Sequence, residues 1–205
     1  MNGRKLQILL VDDHAVVRGG LRLVLAQTDD MEVAGEAENA EQAIHTVRAS
    51  EFDVALVDIG LPGKGGLDLL KQIRSERPRL AVLMLSMYAE EVYAVRALKA
   101  GASGYLTKES APDELVKAIR TVLTGRKYVS KALAEKLVDI LSEYSDKMPH
   151  EQLSDREYEV FIKISSGKKA IEIAEELSIS IHTVNTNRAR ILEKISMNSN
   201  VELTQ

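Results

Sequence analysis

The sequence predicts two domains: an α/β domain with a five-stranded parallel sheet wound on both faces by helices, followed by a small all-α domain. Up to about Thr124, short β-branched runs alternate with longer amphipathic stretches, which is typical of a parallel sheet covered by helices. Beyond that point the apolar periodicity is helical and no strand is indicated. The length of 205 residues exceeds that of a common single domain, which also favours two domains.

The first part is predicted to contain five β-α units. The strands are predicted at Gln7–Val11, Glu32–Glu36, Val54–Val57, Ala81–Leu85 and Gly104–Leu106. The helices are predicted at Ala15–Ala26, Ala40–Ala49, Gly66–Glu76, Glu90–Ala100 and Pro112–Leu123. Residues that end helices, such as Pro78 and Gly101, mark several of these boundaries.

The second part is predicted to contain three helices, at Asp155–Ser165, Ala170–Leu177 and Ile181–Ile195. Between the two parts, Gly125 breaks the alternating pattern, and Ser130–Glu143 is predicted as a further helix. The polar stretch Ser142–Gln152 is predicted as a linker. The predicted boundaries are therefore 1–124, 125–152 and 153–205.

Composition excludes several classes of protein. The absence of cysteine excludes disulfides, thiolate metal sites and cysteine nucleophiles. No segment has the pattern of a signal peptide or the length of a membrane-spanning helix, so a cytoplasmic protein without membrane contact is predicted. A net charge of −4 does not by itself indicate a nucleic-acid binder, so any DNA-binding prediction must rest on a local site.

Polar side chains follow four of the five predicted strands. They are Asp12, Asp13, Asp58, Ser86 and Lys108. Ligands of such a sheet bind beyond the carboxyl ends of the strands, so these side chains are expected to meet at one edge. Three carboxylates there would repel one another unless a cation neutralises them, and Mg²⁺ is the natural ion because thiols are absent. His14 is interpreted as a helix-start residue and not as a ligand.

These residue types together can perform phosphoryl chemistry. With a metal ion shielding its charge, the Asp58 carboxylate can act as a nucleophile toward phosphorus and form an acyl phosphate. Lys108 can neutralise the phosphoryl oxygens, and the Ser86 hydroxyl can donate a hydrogen bond to one of them. An aspartate after a strand is often only a turn former, so the interpretation depends on the joint placement at four strand ends.

The same residues resemble the receiver domain of bacterial response regulators of the NarL/FixJ type. The matching stretches are Leu10–His14, Val57–Gly63, Leu85-Ser86 and Gly101–Lys108. The resemblance implies a flavodoxin-like fold with Asp58 as the phosphoacceptor, and Mg²⁺ bound by Asp13 directly, by Asp12 through water and by the Gly60 carbonyl. It also implies that Ser86 and Tyr105 rearrange together on phosphorylation, although packing of Tyr105 on the sheet edge is an equally good interpretation of the sequence.

The second domain carries the pattern of a helix-turn-helix. Ser154 and Glu157 form a predicted capping box at the start of its first helix. The short turn Ser178-Ile179-Ser180 joins the next two helices, and the start of the last helix is expected to meet base edges. The predicted DNA-binding residues are Lys168, Lys169, His182, Thr183, Asn185, Thr186, Asn187, Arg188, Arg190 and Lys194.

This domain resembles the LuxR-type DNA-binding module. The matching residues are Leu153-Ser154-x-Arg156-Glu157, Ile173-Ala174-x-x-Leu177, Thr183-Val184 and Arg190-Ile191-Leu192-x-Lys194. The family usually has lysine at the position of Asn185 and histidine at that of Asn187. A fourth helix is expected from Val201 and is cut short at Gln205, which is expected to affect the pairing of DNA-bound domains.

The resemblance implies a transcription regulator and not an enzyme, apart from self-catalysed phosphotransfer to and from its own aspartate. A sensor histidine kinase is expected to phosphorylate Asp58, and a homodimer is then expected to bind promoter DNA. One alternative is a Mg²⁺-dependent phosphohydrolase, but those enzymes commonly carry a second acid at the position of Gly60. Another is a receiver that acts through protein contacts, with a second domain that no longer binds DNA, which the truncated fourth helix favours. The excess of acidic over basic residues in 151–205 would by itself favour a small interaction bundle.

Overall fold

The computed structural model describes residues 4–88, 90–110, 112–131, 133–135 and 152–195, with the backbone alone for residues 90–92. The chain divides into two compact units, Met1–Asp139 and Ile140–Gln205. Residues 131 and 133–135 are helical, while the rest of the helix predicted at 130–143 lies outside the described residues. So do the predicted fourth helix and nearly all of the predicted linker, and the three domain boundaries stay predictions.

The first unit contains a five-stranded parallel sheet in the order β2-β1-β3-β4-β5, which confirms the predicted fold class. The strands are β1 (Leu6–Val11), β2 (Met31–Ala37), β3 (Val54–Asp58), β4 (Ala81–Ser86) and β5 (Gly104–Thr107). The helices are α1 (Ala15–Ala26), α2 (Ala40–Ala49), α3 (Gly66–Glu76), α4 (Glu90–Lys99) and α5 (Pro112–Leu123). Each strand and helix lies where the sequence predicts it, within one residue at either end.

The strand order determines which helices cover which face. The chain passes from β1 to β2 on one side and then in the opposite direction through β3, β4 and β5. Because the crossovers between parallel strands are right-handed, α2, α3 and α4 lie on one face of the sheet and α1 lies on the other. On the α1 face, Leu25 packs in one apolar cluster with Ile119 of α5 and with Ile8 and Leu56 of the sheet. Alternate strand residues such as Leu9 and Val57 are fully buried and point to the opposite face.

The second unit consists of α6 (Asp155–Ser165), α7 (Ala170–Glu176) and α8 (Ile181–Lys194). The predicted capping box begins α6, since the Ser154 hydroxyl accepts from the Glu157 N–H and the Glu157 carboxylate accepts from the Ser154 N–H at 2.8 Å. Helix α8 buries Val184 and Ile191, and Ser180 caps its first turn. This arrangement confirms the predicted small helical domain.

No helix in the described part of the chain combines the length and the apolar character needed to cross a membrane.

Candidate functional sites

The sheet topology brings the ends of β1 and β3 side by side at the point where the strand order reverses. Val11 pairs with Val57, so the residues that follow them, Asp12 and Asp58, are neighbours at the carboxyl edge. Asp12 is 1% exposed and Asp58 4% exposed. Such a switch point is where ligands of open α/β sheets bind, so the two buried carboxylates lie at the expected place for a functional site.

Lys108 lies between these two carboxylates. Its Nζ is 2.6 Å from Oδ2 of Asp12 and 2.9 Å from Oδ2 of Asp58, and all three side chains are nearly inaccessible to solvent. Burial raises the pKa of Asp58, and the charge of Lys108 offsets part of that rise. Burial by itself would lower the pKa of Lys108, but the two carboxylates outweigh it and raise that pKa, so the lysine stays charged.

The donor set fits a hard divalent cation. One oxygen from each of Asp12, Asp13 and Asp58, together with a nitrogen of His14, lie within 4.8 Å of one another. Oδ2 of Asp12 is buried, and the cation that faces it is Nζ of Lys108 at 2.6 Å. Carboxylate oxygens are the ligands that Mg²⁺ prefers, so these residues can hold the ion that the sequence predicts.

His14 is a helix-start residue, as the sequence predicts, although its imidazole does not cap the helix. Its Nδ1 instead lies 2.7 Å from Oδ1 of Asp13 and 3.4 Å from Oδ1 of Asp12. Helix-start position in a sequence therefore did not predict where this imidazole points.

Arg18 is a supporting residue that the sequence did not single out. It is 8% exposed on α1, and its Nη1 donates to the carbonyl oxygen of Asp12 at 2.6 Å. The same guanidinium donates to Glu36 at 3.1 Å and to Glu38 at 2.7 Å. Arg18 therefore fixes the backbone of Asp12 against the end of β2. In the sequence, this role is indicated only by an arginine on the apolar side of helix α1.

Two glycines approach Asp58 closely. The backbone N–H of Gly60 donates a hydrogen bond to the Asp58 carboxylate, which tends to lower its pKa. Gly66 lies against the end of β3, where an added Cβ would be 2.0 Å from the carbonyl oxygen of Asp58. Only glycine fits at position 66. The prediction that the Gly60 carbonyl binds the metal stays a prediction.

Ser86 and Tyr105 both contact the same residue after β4. The Ser86 hydroxyl accepts from the backbone N–H of Tyr88 at 3.0 Å, and the Tyr105 hydroxyl donates to the Tyr88 carbonyl at 3.2 Å. Ser86 is 1% exposed and Tyr105 is fully buried. The structure thus brings the two predicted switch residues together through the backbone of Tyr88.

In the second unit, the beginning of α8 presents a polar surface. The exposed residues are His182, Thr183, Asn185 and Arg190, and Thr186 and Arg188 are half-buried. Lys169, at the start of α7, is exposed. These residues form an accessible polar face of the kind a recognition helix needs.

Three other predicted DNA contacts are engaged within the unit. Asn187 is 8% exposed and packs inside the unit, so its side chain is not available to DNA. Lys168 forms an ion pair with Glu176, and Lys194 forms one with Glu157 at 2.6 Å. Lys194 therefore joins the end of α8 to the start of α6, a structural contact that the sequence did not indicate.

The comparisons with known proteins identify the family of each domain. Residues 8–120 match the family model described as the response regulator receiver domain, and residues 151–205 match that of the bacterial regulatory proteins of the luxR family. The chain is 36% identical over 200 residues to the response regulator UvrY of Escherichia coli K12, covering 97% of this chain and 92% of UvrY.

The chain belongs to the LuxR-type response regulators.

Other relatives of this response regulator extend over both units. The response regulator GacA of Pseudomonas protegens is 38% identical over 199 residues, covering 97% of this chain and 93% of GacA. Among solved structures, RcsB of Salmonella typhimurium aligns with a TM-score of 0.72 at 25% identity, over 98% of this chain and 96% of RcsB. RcsB of Salmonella enterica serovar Typhimurium bound to the promoter rprA with the phosphomimetic BeF3− aligns with a TM-score of 0.68 at 27% identity, over 98% and 97% of the chains.

Membership in this family decides between the alternatives raised by the sequence. The family is one of transcription regulators, so the phosphohydrolase alternative is wrong for this response regulator. The LuxR-type module matches through residue 205, which supports a DNA-binding second domain over a receiver that acts only through protein contacts.

Proposed function

We propose that phosphorylation of Asp58 controls the binding of promoter DNA by the LuxR-type domain. The observation that carries this proposal is the position of Lys108 between the buried carboxylates of Asp12 and Asp58. A lysine held there offsets part of the negative charge before phosphate arrives and lies within reach of the oxygens of a phosphoryl group attached to Asp58.

The phosphodonor is the phosphohistidine of a sensor kinase. A carboxylate oxygen of Asp58 attacks phosphorus, an O–P bond forms, and the P–N bond breaks as the electron pair leaves with the imidazole. Lys108 stabilises the negative charge on the transferred group, and Asp12, Asp13 and Asp58 would hold Mg²⁺. When bound, Mg²⁺ supplies positive charge that offsets the repulsion between the carboxylates and the phosphoryl oxygens.

The signal leaves the site through Ser86. The Ser86 oxygen accepts from the N–H of Tyr88, so rotation of Ser86 toward a phosphoryl oxygen, to which it would donate its hydroxyl, disturbs that contact. The Tyr88 carbonyl is also the acceptor of the Tyr105 hydroxyl, so movement of this one peptide segment changes the environment of both side chains. We infer that Ser86 and Tyr105 rearrange together and alter the surface around β4 and β5.

The readout is DNA binding by α8. The residues proposed to contact DNA are His182, Thr183, Asn185, Thr186, Arg188 and Arg190 from α8, with Lys168, Lys169 and Lys194 near the phosphates. Two phosphorylated copies would bind two half-sites as a homodimer. The solved structures of RcsB bound to promoter DNA in the presence of the phosphomimetic BeF3− support DNA binding by a phosphorylated regulator by similarity. A promoter target requires the cytoplasmic location that the sequence predicts.

The first test concerns the phosphoacceptor. Asp58→Asn should abolish labelling by acetyl phosphate, because the amide is not a nucleophile for phosphorus. The matched control is Asp68→Asn, an exposed aspartate in the first turn of α3, which should be labelled like the wild type. Full labelling of the Asp58 variant would show that another residue accepts phosphate.

The second test concerns DNA binding. Phosphorylated protein is titrated against a promoter library over a range of salt concentrations. The variant is Arg190→Ala, and the control is Lys131→Ala, which removes an exposed cation of the first unit. Loss of one phosphate contact should weaken binding about tenfold and reduce the salt slope by about 1. Weak, sequence-blind binding by the wild type would instead support a regulator that acts through protein contacts.

A further inference from the structure

We propose that the exposed face of α8 reads an A·T base pair, and that Asn185 is the residue that selects its adenine. This inference rests on the proposed binding of promoter DNA by α8. It goes further than that proposal because it states which base edge the helix recognises and which side chain recognises it.

Burial divides α8 into two faces. The buried face is formed by residues that are at most 8% exposed, Val184, Asn187 and Ile191. By helical periodicity the opposite face is centred on three exposed residues, His182, Asn185 and Ala189, which we call the outer stripe. In a helix-turn-helix the beginning of the second helix contacts base edges, so the outer stripe is the surface that would face the bases.

Hydrogen bonds within α8 leave few side chains of its first turns free to bind a base. The Thr186 hydroxyl donates to the carbonyl of His182 at 2.9 Å, and the Thr183 hydroxyl lies 2.8 Å from that of Ser180. The Asn185 amide, by contrast, makes no hydrogen bond or ion pair with any residue that the structure describes. Its NH₂ donor and its carbonyl acceptor are therefore both available to a base.

A primary amide is complementary to one base edge of the major groove. The Asn185 amide offers a donor beside an acceptor, and adenine offers the matching acceptor N7 beside the N6 amino donor. Guanine offers two acceptors, which suit arginine or lysine, and cytosine offers a donor that suits a carboxylate. The other members of the outer stripe, His182 and Ala189, provide neither. The Ala189 methyl group can contact a thymine methyl group, which also favours an A·T pair.

The two arginines of α8 flank the outer stripe. Arg188 and Arg190 lie on opposite sides of Ala189 around the helix axis. Neither forms an ion pair within the part of the chain that the structure describes, whereas Lys168 and Lys194 both pair with glutamates. Cations at the two flanks suit the phosphate backbones that border a groove. Affinity is therefore assigned to the arginines and base selection to Asn185.

The first measurement uses the full chain, phosphorylated with acetyl phosphate, and a library of duplexes with randomised half-sites. The wild type should select adenine at one fixed position of each half-site. Asn185→Arg should select guanine at that position, and Asn185→Ala should select no base there. The contrast is Arg190→Ala, which should weaken binding to all sequences about equally and keep the selected adenine.

The second measurement does not depend on the folding of a variant. In the selected duplex, 7-deazaadenine replaces the chosen adenine, which removes N7 and keeps the base pair. The wild type should bind this duplex about tenfold more weakly, because the Asn185 NH₂ group loses its acceptor. Asn185→Ala should bind the two duplexes equally.

The outcomes separate this proposal from the DNA binding on which it rests. If the wild type enriches no sequence, the proposed binding of promoter DNA fails, and the assignment of Asn185 fails with it. The assignment alone is refuted if the wild type enriches a site but Asn185→Ala selects the same bases. It is also refuted if the wild type binds the 7-deazaadenine duplex as tightly as the adenine duplex.

Discussion

Replacing Gly66 with alanine tests whether close backbone packing positions Asp58. The added Cβ would lie 2.0 Å from the carbonyl oxygen of Asp58 and 2.8 Å from Cα of Ile59. Ordinary van der Waals contact begins at 3.4 Å, so the start of α3 and the end of β3 must separate by about 1.4 Å. Both neighbours are backbone atoms, and neither can turn away as a side chain could.

The energetic cost follows from what the separation breaks. Moving α3 away lengthens the hydrogen bond from the Gly66 N–H to the Ile59 carbonyl, now 3.0 Å, whose loss costs about 1 kcal/mol. Overpacking of a tight contact costs about 1–3 kcal/mol more. Alanine gains about 1 kcal/mol over glycine in helix propensity. Gly66→Ala should therefore lower the free energy of unfolding by about 2 kcal/mol.

Urea unfolding and the rate of labelling by acetyl phosphate measure the two consequences. Because a displacement of about 1 Å at a reacting group can cost about 100-fold in rate, labelling should slow by at least about tenfold. The matched control is Gly20→Ala in the middle of α1, where an added Cβ meets nothing within 4 Å and should stabilise by about 0.5–1 kcal/mol. The reasoning would be refuted if Gly66→Ala were as stable as the wild type and were labelled at the same rate, while Gly20→Ala behaved as expected.

Three further predictions concern charge and backbone conformation. Lys108→Ala leaves two buried carboxylates facing each other, and in EDTA it should destabilise the protein by about 3 kcal/mol. In thermal melts, added Mg²⁺ should stabilise this variant more than it stabilises the wild type. Burial tends to raise the pKa of Glu157, but its hydrogen bonds with Lys194 and Ser154 lower it below the ordinary value. The contribution of Glu157 to stability is therefore present above its pKa in the unfolded chain and lost as the pH falls through its pKa in the folded protein. Below about pH 4.5, the unfolding free energy of Glu157→Gln should depend less on pH than that of the wild type. Ser178 has a φ of 50°, and Ser178→Gly should raise the unfolding free energy of the second unit by about 0.5 kcal/mol, measured in urea, whereas Ser166→Gly, at a residue with negative φ, should not.

Local patterns in the sequence determined the secondary structure and the family of this protein. Alternation of β-branched runs with amphipathic stretches predicts every strand and helix of the first unit, because periodicity records which side of an element is buried. Strand ends of a parallel sheet meet at one edge, so the position of Asp12, Asp58 and Lys108 after their strands predicts the acidic site.

Only the tertiary structure decided how side chains are oriented toward one another. The imidazole of His14 faces Asp13 and not its helix, Arg18 holds the backbone of Asp12, and Lys194 joins α8 to Glu157. Each contact depends on which rotamer fits the assembled elements, and short-range periodicity carries no information about that choice. The sequence thus identifies which residues meet at each site, and the packed structure decides what each of them touches.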